Sequence, residues 1–195
     1  MKLADPALDH LATARALLLT PYGLDESSLQ RTLATIFEHR ADYADLYFQY
    51  TRAESYVLEE GKVKSGSFDI EQGVGVRAIA GEKTAFAYSD DISAAALTEA
   101  AQAARAIARQ GSGRARIPAT VAPRGAAVAP LYASSDPVAS LPAERKIAIL
   151  EHIETIARAR DPRVKQVMAN LSAEYDVVLV ARSDGVLAAD VRPLV

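Results

Sequence analysis

The chain has 195 residues, of which 50% are hydrophobic and 24% charged, and its formal net charge at pH 7 is −3. This composition is ordinary for a globular protein and argues against a disordered tail, a collagen-like repeat or a coiled coil. The absence of cysteine excludes disulfides, Fe–S clusters, cysteine-based zinc sites and a cysteine nucleophile. The slightly acidic balance gives no global field that would favour nucleic acid as a partner.

The chain also carries no sign of a membrane span or an export signal. Its longest uncharged apolar run, residues 16–21, is far shorter than the roughly 20 residues that cross a bilayer. Asp5 and Asp9 lie where a signal peptide would be cationic. We therefore expect a soluble cytoplasmic domain with no membrane partner.

The first forty residues predict two helices. Leucines and alanines recur at roughly helical spacing up to residue 19, and residues 21–23 break the pattern. Asp25 is a plausible N-cap for a second helix. Leu29, Leu33 and Ile36 would form its buried stripe.

Residues 44–89 predict four or five antiparallel strands. The segment is rich in aromatic and β-branched residues, and turn signals occur at 59–62 and 80–83. These connections are too short for the crossover helix that parallel strands need.

A third helix is predicted to begin after Ser93 and to end near Gly111. Leu97, Ala101 and Ala104 give it a narrow apolar face that would let it lie close to a sheet.

Residues 111–142 hold five of the nine prolines and predict an extended connection, ordered along the surface. Its arginines could form a patch for phosphate or an acidic partner, although a solvated loop is the simpler interpretation. These arginines are Arg114, Arg116 and Arg124.

The last fifty residues predict a helix and further strands. Ile147, Leu150, Ile153 and Ile156 recur at helical spacing and are expected to be the buried stripe of this helix. Strands are predicted at 164–175, 177–181 and 186–191, with a turn at 183–185.

The predicted fold class is therefore α/β, of the α+β type. A largely antiparallel sheet from 44–89 and 164–192 would be covered by helices near 26–39, 93–110 and 142–160. We expect a single domain over 1–195, made of helices and strands (1–110), the proline-rich connection (111–142) and a helix with strands (143–195).

No catalytic residue and no metal ligand emerges from the residues themselves. His10, His39 and His152 lie on three separate predicted helices, whereas a zinc site usually collects several ligands, often two from one helix turn. The Gly73–Gly75 pattern has the letters of a dinucleotide fingerprint, but a strand follows it where that motif needs a helix. Close packing within a strand is the better interpretation of these glycines.

Several long segments resemble one known family. They are Asp-Tyr-Ala-Asp-Leu-Tyr-Phe-Gln at 42–49, Glu-Ser-Tyr-Val-Leu-Glu at 54–59, the segment 72–84 beginning Gln-Gly-Val-Gly-Val-Arg, Phe-Ala-Tyr-Ser-Asp at 86–90, and 184–195 beginning Asp-Gly-Val-Leu. The chain is similar in these segments to the N-terminal portion of the TldD/PmbA family of metallopeptidases, also described as modulators of DNA gyrase.

The resemblance implies a zinc metallopeptidase that pairs with a related TldE/PmbA-like subunit and cleaves unfolded peptides. The family holds its zinc on a His-Glu-x-x-x-His helix in its C-terminal half, and this string does not occur here. We therefore expect a non-catalytic N-terminal fragment, inactive alone, that shapes the substrate cleft and the subunit interface. The alternative is a free-standing binding module, for example one that modulates DNA gyrase by protein–protein contact.

If the fragment has a function of its own, we expect it on the hairpin 54–67 and on the strand–turn–strand 72–88. Antiparallel sheet edges can take up an extended peptide by strand addition. Arg77, Glu82 and Lys83 are the candidate interface or substrate-contact residues, and Arg77 and Lys83 stand out as charges among small and apolar residues. An exposed sheet face or a turn is the simpler interpretation of these charges.

Overall fold

The computed structural model describes residues 6–37, 41–108, 124–125 and 133–195. Its helices are α1 (Pro6–Leu18), α2 (Glu26–Phe37), α3 (Ala94–Ala108) and α4 (Ala143–Arg160). Its strands are β1 (Tyr43–Glu59), β2 (Lys62–Ala80), β3 (Lys83–Ser89), β4 (Arg124–Gly125), β5 (Met168–Arg182) and β6 (Val186–Leu194). The predicted α+β fold class is confirmed. Most of the connection 111–142 and His39 lie outside the described residues.

The strands form one sheet in the order β3-β2-β1-β5-β6-β4. Strands β2 and β3 pair antiparallel. Strands β1 and β5 do so as well, because the Ser183 amide donates to the Ala44 carbonyl near one end of the pair and the Glu60 amide donates to the Val167 carbonyl near the other. Short turns join β1 to β2 and β5 to β6. The two-residue strand β4 pairs with β6 in parallel. The largely antiparallel sheet is thus as predicted.

The prediction of four or five strands between 44 and 89 is wrong, because β1, β2 and β3 cover the whole segment. Residues 51–54 and 68–73 look like interruptions in the sequence, yet they continue β1 and β2. Strand β1 lies between β2 and β5, so its polar middle section remains hydrogen-bonded on both sides. The strands predicted at 164–175 and 177–181 are likewise one strand, β5.

The chain divides into two compact units. Unit 1 comprises residues 1–50, 71–131 and 177–191, and unit 2 comprises residues 51–70, 132–176 and 192–195. Both units draw on β1, β2 and β5. The single domain expected from the sequence, with its three consecutive segments, stays a prediction.

Side chains cap the helices of unit 1 where the sequence predicts. The Ser28 amide donates to Asp25 Oδ1 at 2.8 Å, and the Ala96 amide donates to Ser93 Oγ at 3.1 Å. Each cap satisfies a backbone donor that the first helical turn leaves free. The predicted stripe of α2 is buried, and so is the apolar face of α3 at Leu97, which lets α3 pack against α2 and β3.

Helix α4 of unit 2 contradicts the predicted stripe. Leu150 is buried and Ile147 is half-buried, but Ile153 and Ile156 are exposed. The other buried residues of the helix are Lys146 and Glu154. Leu150 packs with residues of β1 and β5 in the core cluster of this unit. The spacing of the isoleucines correctly predicts a helix, but it predicts the wrong buried face.

The two glycines of the fingerprint-like pattern are close-packing residues, as predicted. Both lie within β2, and a Cβ on Gly73 would stand 2.8 Å from the Ser89 carbonyl oxygen. A Cβ on Gly75 would stand 2.9 Å from the Phe86 ring. Neither precedes a helix, so neither can hold a pyrophosphate at a helix N-terminus.

Within the described part of the chain, every helix falls short of the length and hydrophobicity that a membrane crossing requires.

Candidate functional site

The three residues singled out from the sequence lie on β2, β3 and the turn between them, all in unit 1. Arg77 is in the middle of the part of β2 that pairs with β3, while Glu82 and Lys83 are exposed at the turn. Gly81 shapes this turn with a φ of 61°, and its amide donates to Asp42 Oδ2 at 2.7 Å. The structure therefore separates Arg77, on the sheet face, from the two turn residues.

Arg77 is paired with a carboxylate that the sequence analysis did not single out. Its Nε donates to Asp45 Oδ2 at 3.0 Å, and its Nη2 donates to the same oxygen. The Asp45 side chain is only 8% exposed, whereas that of Arg77 is 46% exposed. The hydrogen bond to Asp45 raises the pKa of Arg77 above its already high value. Arg77 thus neutralises a buried carboxylate and keeps part of its guanidinium at the surface.

A tyrosine joins this pair to a second arginine. The guanidinium carbons of Arg77 and Arg182 each lie 5.8 Å from the centroid of the Tyr43 ring, within cation–π range. Arg182 also donates to Asp184 at 2.5 Å. Burial, followed by the charge of Asp45, raises the pKa of Tyr43 above its usual value of 10.0. In this surface cluster each arginine pairs with its own carboxylate, and both guanidinium groups contact the Tyr43 ring.

Strand β3 is the first strand of the sheet, and no described strand pairs with its outer edge. Phe86 and Tyr88 are 58% and 80% exposed, and their rings stack with centroids 6.3 Å apart. Their neighbours in sequence, Ala85 and Ala87, face the other side of the sheet. The alternation of alanine and aromatic residues is the sequence signal for this exposed aromatic pair.

A second strand edge occurs in unit 2, along residues 62–70 of β2, which we call the β2 edge. The pairing of β3 with β2 begins only at Val74, so within the described residues the β2 edge pairs with β1 alone. Every residue of this edge is exposed. Phe68 and Ile70 are 57% and 54% exposed and are apolar side chains next to a row of unpaired backbone groups.

Unit 2 also contains a buried ion pair between Lys146 of α4 and Glu54 of β1. Their side chains are 4% and 6% exposed, and Lys146 Nζ donates to Glu54 Oε1. Lys146 Nζ donates in addition to the Val138 carbonyl at 2.6 Å, and Tyr56 donates to Glu54 Oε2 at 3.3 Å. Several partners therefore satisfy the two charges, which a buried pair requires.

Glu154 of α4 forms a second anchor, about two turns beyond Lys146. Glu154 Oε2 accepts the Gly61 backbone amide at 2.6 Å, and Glu154 Oε1 accepts Arg158 Nε at 2.8 Å. Gly61 lies in the turn between β1 and β2 with a φ of 72°. Lys146 and Glu154 thus fasten α4 to β1 and to the turn that follows it.

These anchors were not predicted, although their spacing is present in the sequence. Lys146, Leu150 and Glu154 recur at i, i+4 and i+8 and therefore share one helix face. The isoleucines form a competing and more hydrophobic face, and hydrophobic periodicity alone favours burial of that face.

The described residues do not bring together a metal site. No group of three His, Cys, Asp or Glu side chains among them could hold an ion. His10 is buried with Nδ1 3.7 Å from Asp190, and His152 is exposed on α4. We therefore assign no metal chemistry to these residues, and the absence of ligands in the rest of the chain stays a prediction.

Two protein-family models match the chain. The model described as PmbA/TldA metallopeptidase domain 1 matches residues 44–108, and the model described as PmbA/TldA metallopeptidase central domain matches residues 136–195. Together they cover most of the chain. The chain belongs to the PmbA/TldD family of metallopeptidases.

Curated relatives agree with this assignment. The chain is 46% identical over 180 residues to a metalloprotease TldD homolog of Haemophilus influenzae, and 36% identical over 186 residues to one of Buchnera aphidicola subsp. Schizaphis graminum. Each match covers 91% of this chain and 36% of the relative. The chain thus spans about a third of the length of these relatives.

Solved structures share the fold at low sequence identity. A proposed modulator of DNA gyrase from Bacteroides thetaiotaomicron matches with a TM-score of 0.65 and 15% identity, over 86% of this chain and 38% of that one. A similarly described protein from Thermotoga maritima gives 0.65 and 14%, over 86% and 37%. TldE from Thermococcus kodakarensis gives 0.57 and 16%, over 85% and 37%.

Proposed function

We propose that this chain is the non-catalytic N-terminal part of a TldD-like zinc metallopeptidase that degrades or processes unfolded peptides in the cytoplasm. In this role it contributes to the substrate cleft and to pairing with a TldE/PmbA-like subunit. Three findings support the proposal: the family membership, the match to only 36% of each relative, and the lack of a metal-binding cluster among the described residues. The likeness to TldE supports a subunit of the same fold.

The β2 edge is the observation that carries the substrate-cleft role. It presents nine exposed residues whose outer backbone groups have no strand partner within the described part of the sheet. An extended peptide can bond to such an edge through its main chain. Main-chain bonds tolerate many sequences, which suits an enzyme that takes unfolded substrates. Phe68 and Ile70 add apolar contact for alternate side chains of the peptide.

Arg77, Glu82 and Lys83 belong in this proposal to the contact with the second subunit or with the rest of the longer protein. Arg77 has a half-exposed guanidinium held in place by Asp45, so its orientation is fixed before a partner arrives. Glu82 and Lys83 are exposed on the neighbouring turn.

The substrate role is tested in the full-length protein paired with its TldE-like subunit. Phe68→Glu places a charge on the β2 edge, and we expect it to raise KM for an unfolded peptide by roughly an order of magnitude while the subunits still assemble. Phe86→Glu is the matched control, because Phe86 is equally exposed but lies on β3. Unchanged KM in Phe68→Glu, or an equal increase in both variants, would contradict a cleft at the β2 edge.

The interface role is tested with Arg77→Ala and Glu82→Ala in the same complex. Loss of assembly assigns the segment to the subunit contact, and retained assembly with reduced cleavage assigns it to substrate positioning. If both variants assemble and cleave as the wild type does, the segment is only scaffold.

The non-catalytic assignment is tested with the purified 195-residue chain. We expect no hydrolysis of casein, because peptide hydrolysis requires a metal-bound water or an activated nucleophile. Cleavage that is abolished by a chelator, with contaminating proteases excluded, would refute the assignment.

A second candidate function is a binding module that modulates DNA gyrase by protein–protein contact. It is favoured by the description of the two bacterial structures that share this fold. Adding the purified chain to a gyrase supercoiling assay separates the candidates. A change in the supercoiling rate at stoichiometric amounts of the chain would support the binding module. An unchanged rate would favour the peptidase role.

A further inference from the structure

Helix α4 exposes a line of isoleucines, which we call the isoleucine stripe. Ile149, Ile153 and Ile156 are 42%, 46% and 49% exposed. Their spacing of i, i+4 and i+7 aligns them along one side of the helix over about 10 Å. A line of this kind matches the way one amphipathic helix recognises another.

The stripe is held at the surface by the charged residues on the buried side of α4. Lys146 is bound to Glu54, and Glu154 is bound to the Gly61 amide, so the helix cannot turn about its axis without breaking both contacts. Rotation that buried the isoleucines would also leave buried charges without partners. The exposure of the stripe is therefore fixed by the packing of α4 in unit 2.

The charges beside the stripe determine which occupant fits it. Arg145 and Arg160 are exposed near its two ends, and His152 is exposed next to it. Two copies of α4 packed antiparallel about Ile153 would bring Arg145 of one copy towards Arg160 of the other. Two copies packed in parallel would bring each arginine towards its equivalent. Both arrangements place like charges together, whereas acidic residues beside the occupant's apolar face would meet the arginines favourably.

We propose that the isoleucine stripe docks an amphipathic helix of a partner protein in which Asp or Glu residues flank the apolar face. The isoleucines supply the buried contact, and Arg145 and Arg160 select the acidic partner and its position along α4. This inference does not depend on the proposed peptidase role, since it concerns a different surface of unit 2.

The test uses the 195-residue chain and two synthetic probes. Each probe is a stapled helix of about 18 residues, long enough to be helical, with leucines at i, i+4, i+7 and i+11. One carries Glu beside the leucines and the other carries Lys. We expect the Glu probe to bind at least about tenfold more tightly, as measured by fluorescence anisotropy at low salt and again at physiological salt.

Variants of the chain show where the probe binds. Ile153→Glu should weaken the Glu probe at least about tenfold. Met168→Glu is the control, because Met168 is an exposed apolar residue of β5 in the same unit and lies outside both the isoleucine stripe and the β2 edge, and it should leave binding unchanged. The double variant Arg145→Glu/Arg160→Glu touches only exposed positions and should reverse the preference between the probes.

Three results would overturn the proposal. The first is absence of binding by the Glu probe, and the second is equal binding of both probes to the wild type. The third is a dimer of the chain in light scattering that Ile153→Glu dissociates, which would assign the stripe to a second copy. Circular dichroism of each variant confirms that the fold persists, and the double variant decides the question if Ile153→Glu unfolds.

Discussion

Helices α3 and α4 illustrate two ways of fixing a helix on a sheet. Helix α3 of unit 1 buries small and apolar side chains, with Leu97, Ala101 and Ala104 almost completely inaccessible. Helix α4 of unit 2 buries Lys146 and Glu154 around a single leucine, and it leaves three isoleucines exposed. The two helices are similar in length and both are recognisable from the sequence.

The difference between them originates in the strands beneath them. Strand β3 presents Ala85 to the helix side, so α3 meets an apolar surface and needs only apolar side chains. Strand β1 presents Glu54, and the turn after it presents the Gly61 amide. These two polar groups need partners when α4 covers them, and Lys146 and Glu154 supply those partners. The charge on the sheet therefore selects the face that the helix buries.

The largest effect on stability is expected when one charge of the buried Lys146–Glu54 pair is removed. Lys146→Met leaves the Glu54 carboxylate buried without its cation, and we expect it to lower the free energy of unfolding by about 3–5 kcal/mol. Urea denaturation followed by circular dichroism measures the change. Lys64→Met removes a lysine from an exposed position of β2 and should alter stability by less than about 0.5 kcal/mol.

The double variant Lys146→Met/Glu54→Leu sharpens the same test. Because it removes both charges, it should recover most of the stability that Lys146→Met loses. A double variant as unstable as the single one would mean that the other hydrogen bonds of Lys146 and Glu54, and not the pair itself, hold α4 in place.

The elements of the fold were predictable because local signals determine them. Asp25 and Ser93 mark helix starts through their side-chain oxygens. The turn at residues 60–61 has a positive φ at both positions, 50° at Glu60 and 72° at Gly61, and glycine adopts such a φ without strain. Such signals depend on a few neighbouring residues. For this reason the helix positions and the antiparallel hairpins follow from the sequence alone.

The buried face of α4 was not predictable in the same way. Glu54 lies 92 residues before Lys146, and no local pattern connects them. The Arg77–Asp45 pair is another contact between distant residues, 32 apart in the chain. Periodicity shows that a helix or strand has faces, but the partners across the sheet decide which polar residues can be buried.

A second test asks whether unit 1 depends on close packing, as its apolar interior implies. Gly73→Ala would place a Cβ against the Ser89 carbonyl, which belongs to the backbone and cannot rotate away. We expect a loss of about 1–3 kcal/mol in the free energy of unfolding. Gly75→Ala would meet only the exposed Phe86 ring, which can turn aside, so its stability should stay within about 1 kcal/mol of the wild type.

Equal losses in the two glycine variants would contradict this distinction. A loss in Gly75→Ala that disappears in Gly75→Ala/Phe86→Ala would instead show that the ring is held firmly. Chemical denaturation of the wild type and the four variants, including Phe86→Ala alone as a control, separates these outcomes.

The smallest expected effect concerns the caps of unit 1 and depends on pH. Hydrogen bonds from Ser28, followed by those from Ser27, lower the pKa of Asp25 to about 2 from a usual value of 3.8. Because the folded state binds this proton more weakly than the unfolded state does, the cap contributes fully above pH 3.8. Its contribution is lost as the pH falls towards about 2.

Asp25→Ala should therefore be less stable than the wild type at neutral pH, and the difference should shrink in this acidic window. Ser93→Ala removes the hydroxyl cap of α3 and should cost about 1 kcal/mol at neutral pH, which gives the scale for a cap in this unit. NMR titration of the Asp25 carboxyl, together with urea denaturation at several pH values, measures both effects. A carboxyl that titrates near 3.8 would show that the cap of α2 is not formed in solution.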